Sequence, residues 1–127
     1  VIAVDTSALM AILMREATAP DCMARLAAEP APLISAGTVV EALVVAARRN
    51  VVAQMNRLLD ASGFDVIPVS PAAARRIGAA YARWGRGVHP AGLNFGDCFA
   101  YDVAKQHACP LLFVGDDFSR TDISGVL

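Results

Sequence analysis

The sequence predicts an α/β sandwich, a mostly parallel sheet flanked by helices. Three observations predict it. Short apolar, β-branched runs alternate with longer stretches whose apolar residues recur at helical spacing. The joints between them are punctuated by Pro, Gly and Ser. Hydrophobic residues make up 56% of the 127 residues, enough for a substantial core.

Val1 to Val4 is the first strand, and Thr6 to Met14 the first helix. A second helix fits Pro20 to Ala28, ended by Pro30 and Pro32, with a short strand over Pro32 to Ser35. Helices follow over Val39 to Arg49 and Val51 to Ala61, with Asn50 as their joint. Phe64 to Val69 is strand-like after Gly63. Ser70-Pro71 opens the next helix, Ser as N-cap and Pro at the first position, and it runs to about Trp84. Gly85 to Asn94, rich in Gly and Pro, is a loop. Phe95 to His107 is a helix, and Pro110 to Val114 the last strand.

Length fits a single domain spanning 1–127. No apolar run approaches the roughly 18 residues of a membrane span, and the start lacks the basic flank of a signal peptide. The missing initiator Met points to a trimmed or partly disordered start. Cys22, Cys98 and Cys109 are odd in number and without CxxC spacing, which predicts reduced thiols in a cytoplasmic protein, two of them core fillers. Net charge is −1, but ten of the eleven basic residues are Arg, whose planar fork suits phosphate.

The acids carry more information. Asp5 directly follows the first strand, and Asp116 and Asp117 directly follow the last. Glu41 lies one turn into the helix after the second strand, and Asp97 at the start of the helix before the last. Each has a structural explanation. Asp5 can cap the helix at Thr6, Thr38-x-x-Glu41 has capping-box spacing, and Asp97 stands three residues after Asn94. Caps need not converge, however, and an α/β topology brings all of these positions to the carboxyl edge of one sheet, where ligands bind.

Several carboxylates in one concave site either share protons or hold a cation, and all-oxygen ligands select hard cations, Mg²⁺ or Mn²⁺. Such a site suits phosphodiester hydrolysis without a side-chain nucleophile. Walker A, GxSxG and a His beside a Cys or Ser are all absent.

Four segments, VDTSAL, Glu41 in TVVEAL, NFGDCFAYDVA and LLFVGDDFSRTDI, together resemble the PIN domain, and more narrowly the VapC-type toxins of bacterial toxin–antitoxin pairs. The resemblance runs end to end, with the motifs in order. It implies a three-layer sandwich with four to five strands, and a Mg²⁺- or Mn²⁺-dependent endoribonuclease neutralised by a cognate VapB-type antitoxin. It implies Asp5, Glu41, Asp97 and Asp117 as the catalytic metal-binding acids. Asp116 is then an alternative or outer ligand, and Ser7 orients Asp5.

Asp122 is assigned a structural role. Tyr101 shares a helix face with Asp97 but suits the core or a dimer interface, and Asp102, on another face, is exposed or paired. His89 lies in the loop, within reach of RNA, and His107 ends its helix. Arg83 and Arg86 flank the Gly/Pro-rich loop and are the RNA-guiding candidates, ahead of Arg48 and Arg49, which have a helix C-terminus to explain them. Apolar stretches at Leu9 to Leu13, Val39 to Ala47 and Val51 to Leu59 exceed the needs of a small core, which predicts a homodimer and an antitoxin groove. Two other classes compete. A receiver-type signalling domain needs a Lys at the end of the last strand, whereas Lys105 falls in a helix. A non-catalytic RNA- or protein-binding module keeps the fold without needing all the acids.

Overall fold

The computed structural model describes residues 1–127. Ala3–Val4 (β1), Leu33–Ser35 (β2), Asp65–Ile67 (β3) and Leu111–Leu112 (β4) form one parallel sheet in the order β3-β2-β1-β4. A parallel bridge between Leu111 and Gly125 adds a rudimentary fifth line outside β4. The helices are Thr6–Leu13 (α1), Ala19–Ala27 (α2), Ala36–Arg48 (α3), Val52–Ala61 (α4), Pro71–Trp84 (α5) and Asp97–Gln106 (α6).

Two apolar clusters divide the core by strand alternation. Ala3, Leu33 and Leu111 pack with Ala73, Ile77, Trp84, Tyr101 and Phe118 on the α5–α6 face. Their neighbours Ile2, Val4, Ile34 and Leu112 pack with Leu9, Cys22, Leu26, Ala42 and Met55 beneath α1 to α4. Successive strand side chains point to opposite faces, so apolar runs buried on both sides make three layers. No helix is long and apolar enough to cross a membrane.

The strands are shorter than the runs that announced them, and two helices begin elsewhere. α3 starts at Ala36, three residues before its apolar run, because the Ser35 side chain accepts a hydrogen bond from Gly37 N (3.1 Å) and caps it there. α6 starts at Asp97 rather than Phe95, after a turn closed by Asn94. Asn50 does form the α3–α4 joint, in the left-handed region (φ 58°) that Asn tolerates. The excess of apolar surface is narrower than the sequence suggests. Ala8, Leu9 and Ala11 of α1 are core, while on α3 Val40 and Val44 are exposed.

The chain passes from β1 to β2 to β3 in one direction and returns to β4 on the other side of β1. The order therefore reverses between β1 and β4, and the crevice beyond their carboxyl ends is the natural ligand position. Asp5 and the Asp116-Asp117 pair straddle it.

Candidate active site

Asp5 leaves β1 with its backbone N–H on Leu112 O (3.0 Å) and caps α1. Its Oδ2 accepts from Ser7 N (3.0 Å) and Ser7 Oγ (2.6 Å). The same Ser7 hydroxyl accepts from Val114 N (3.0 Å), so it ties Asp5 to the chain leaving β4. Asp5 Oδ1 is buried and has no partner. Burial, and then the charge of Glu41, push the Asp5 carboxyl up to about 6 despite the Ser7 hydrogen bonds.

Glu41 does not complete a capping box. Thr38 Oγ1 is buried without a partner, and Glu41 Oε1 instead accepts from Thr6 Oγ1 (2.6 Å), 35 residues away. The Glu41 carboxylate lies against Gly96, where a Cβ would collide with Oε2 and the carboxyl carbon. Gly96 thus gives α3 and the start of α6 their close approach at the site.

Asp97 plays both parts that its position allows. It exchanges hydrogen bonds with Asn94, Asn94 N donating to Oδ2 (2.9 Å) and Asp97 N donating to Asn94 Oδ1 (2.8 Å), a reciprocal cap. It is also buried, and burial together with the charges of Asp5, Asp117 and Glu41 raises its carboxyl to about 7. Asp116 and Asp117 stand exposed on the rim, and of the two it is Asp117 whose charge acts on Asp97.

One pattern unites the inner acids. Asp5, Glu41 and Asp97 each have one oxygen anchored by a neighbour, and in Asp5 the other oxygen, Oδ1, is buried without a partner. An unpartnered buried carboxylate oxygen is costly unless a cation or proton completes it. The donors are all oxygen, which fits a hard divalent ion. As they stand, no three acid, His or Cys side chains are arranged to hold an ion. Repulsion among carboxylates that share a field opposes a closer approach.

The PIN domain family model matches residues 2–124. The chain belongs to the PIN-domain family. It is 40% identical over 126 residues to Ribonuclease VapC30 of Mycobacterium tuberculosis, covering 97% of this chain and 96% of the relative. It is 41% identical over 128 residues to Ribonuclease VapC28 of the same species, covering 98% and 96%. This level of identity puts it in the VapC ribonuclease branch. A crystal structure of M. tuberculosis VapC20, described as a sarcin–ricin-loop-cleaving toxin, superposes with TM-score 0.79 at 18% identity over 99% of this chain and 98% of that one. A chain from a Klebsiella pneumoniae toxin–antitoxin complex gives TM-score 0.71 at 21% identity over 96% and 93%.

Around this candidate site most of the other residues that the sequence singled out have definite partners. Asp122 Oδ1 accepts from the Tyr101 hydroxyl (2.8 Å), and its Oδ2 pairs with Lys105 (3.0 Å), a structural post. Tyr101 also accepts from Trp84 Nε1 (3.0 Å), so its hydroxyl is committed away from the carboxylates. Asp102 is paired but buried, bidentate to Arg76 (2.8 and 3.2 Å). His107 caps the end of α6. His89 Nδ1 accepts from Ala91 N (3.0 Å) while its ring meets Trp84 edge-on. The Gly/Pro-rich loop is tied back to the end of α5. Leu93 N bonds Trp84 O and Arg86 N bonds Leu93 O (both 3.0 Å), with Leu93 fully buried. Arg83 lies over Trp84 and 4.0 Å from Asp122, whereas the side chain of Arg86 has no ion-pair partner.

Thr6 and Gly96 are residues of the candidate site that the sequence did not single out. Their only signal is adjacency to the motif acids, because the Glu41 carboxylate that both touch comes from another segment.

Proposed function

We propose that this VapC-type protein is a Mg²⁺- or Mn²⁺-dependent endoribonuclease, the toxin of a toxin–antitoxin pair, acting at Asp5, Glu41, Asp97 and Asp117. The observation that carries the reading is the buried, unpartnered Asp5 Oδ1, set among acids near enough for their charges to act on one another, with Asp5, Glu41 and Asp97 each anchored through one oxygen. Asp5, Glu41 and Asp97 would hold the ion, with Asp117 as the fourth ligand and Asp116 as an outer or alternative one. A bound divalent ion supplies the Lewis acidity that lowers the pKa of the attacking water and neutralises charge on the leaving oxygen. The chain's own contribution is orientation. Ser7 fixes Asp5, Thr6 fixes Glu41, and the Asn94 backbone N–H fixes Asp97. Water reaches the scissile phosphate from the open rim, where Asp116 and Asp117 are exposed.

The cellular setting follows the same reading: a protein acting on RNA in the cytoplasm, its 127 residues one PIN unit, held inactive by a VapB-type antitoxin. An apolar groove of about 440 Å³ between α1, α2 and α4, lined by Ile12, Met23, Leu26 and Leu58, suits an antitoxin helix. Exposed Val40, Val44, Tyr81 and Phe95 suit a homodimer.

The test is cleavage of labelled single-stranded RNA and of total RNA by antitoxin-free protein in Mg²⁺, Mn²⁺ or EDTA, beside Asp5→Ala. Cleavage that requires both metal and Asp5 is expected. A folded wild-type protein that cleaves neither substrate would leave a non-catalytic binding module.

A further inference from the structure

The rim of the site contains a second recess, about 410 Å³, between the Gly/Pro-rich loop and the turn after β4. Pro90 and Ala91 form one wall, and Asp116, Asp117, Ser119 and Arg120 the other. The turn is rigidly held. Phe118 at its centre is buried and packs on Phe113 (5.1 Å between ring centroids). Ser119 N bonds Asp116 O (3.1 Å), Thr121 N bonds Phe118 O (3.1 Å), and the Ser119 hydroxyl is itself spent on Asp116 O (2.6 Å).

Arg120 is therefore the recess's free donor. It makes no ion pair, although two aspartates share its cavity, and the turn holds its backbone three residues from Asp117. The arginines expected to guide RNA are placed differently. Arg83 is engaged with Asp122 and Trp84, and Arg86 belongs to the loop rather than to the recess wall. A polyanion crossing this rim meets two carboxylates, so a fixed cation must offset them for a phosphate to settle.

We propose that Arg120 binds a backbone phosphate of the RNA strand next to the scissile one, and so positions the substrate over Asp97 and Asp117. The proposal rests on the ribonuclease reading above and adds a positioning residue to it. The guanidinium fork takes two non-bridging phosphate oxygens, which fixes the strand's register as well as its presence. Fixing one phosphate of a flexible strand converts a loose encounter into a near-attack arrangement.

The experiment measures two things on the 127-residue protein. Steady-state cleavage compares wild type with Arg120→Ala and Arg120→Lys. Equilibrium binding of a fluorescein-labelled, mixed-sequence single-stranded RNA is followed from about 50 to 200 mM salt, with each Arg120 variant built on Asp97→Asn to block cleavage. Arg120→Ala is expected to raise KM about tenfold with kcat within twofold, as for one charge-assisted contact. Its plot of log K against log salt should be shallower by about 0.7, one phosphate of a single strand. Arg120→Lys should restore the slope and only part of KM. An unchanged slope in Arg120→Ala would overturn the proposal, whether or not kcat falls, since a merely structural arginine leaves the slope alone. The ribonuclease reading is judged separately, from wild type against Asp97→Asn, and its failure leaves the slope measurement intact.

Discussion

The Glu41 carboxylate rests on Gly96, at a spot where any side chain would strike it. Helices α3 and α6 meet at the site through this contact, so a backbone position without a side chain decides where an acid from another segment stands.

Gly96→Ala is the first prediction. The atoms that a Cβ would meet are the far end of a flexible side chain, so Glu41 moves and the backbone stays. Cleavage should fall at least tenfold while the melting temperature changes by no more than a few degrees. Unimpaired cleavage would show that the placement of Glu41 does not matter.

The buried acids make stability depend on pH. Asp97 and Asp5 titrate near 7 and 6 in the folded chain, against 3.8 when unperturbed, so between about pH 4 and 7 the folded state holds more protons than the unfolded one. Stability in EDTA is therefore greatest below the unfolded value and declines as pH rises through the folded ones. Between pH 5 and pH 8 the loss for Asp97 is on the order of 3 kcal/mol, about two pH units below the folded value of about 7 at about 1.4 kcal/mol each. Denaturant titrations in EDTA at pH 5 and pH 8 should show the difference, and Asp97→Asn should shrink it. Added Mg²⁺ or Mn²⁺ should stabilise the wild type more at pH 8 than at pH 5, because metal competes with protons for the same oxygens.

Ser7→Ala removes a donor to Asp5 and leaves Val114 N without its acceptor. A cost of about 1 kcal/mol in urea unfolding is expected, because a part-buried backbone donor loses its partner. Cleavage should fall with it, through misorientation of Asp5. A variant as stable and active as wild type would exclude the proposed orienting role.

Thr6→Val keeps the shape of the side chain and removes the hydrogen bond to Glu41 Oε1. Activity is expected to drop about tenfold, in line with losing an oriented partner of a metal ligand. Isothermal titration with Mn²⁺ gives a readout apart from turnover and should show weaker binding.

Asp117 and Asp116 are neighbours with different surroundings. Only Asp117 acts electrostatically on Asp97. Asp117→Asn should therefore depress cleavage far more than Asp116→Asn. Equal losses would assign both to the metal.

The order of elements, the parallel sheet and the gathering of acids at one sheet edge were legible in the sequence. Strand runs, helical spacing and the Ser70-Pro71 start are local signals, and topology then dictates which ends of the strands coincide. Asp5, Glu41, Asp97 and the Asp116-Asp117 pair stood out as candidates as well, because acids placed directly beside strand ends and helix starts contrast with an apolar background. The tertiary structure alone decided what each acid touches. Thr38 and Glu41 have the spacing of a capping box, yet Ser35 caps α3 and Glu41 turns to Thr6. A composition rich in Gly and Pro marked a loop, and only the fold shows that Leu93 bonds it back to Trp84. Local patterns give a residue's options through short-range sterics and hydrogen bonding. Which option is taken depends on partners tens of residues away, and those are set only when the sheet assembles and its two cores close.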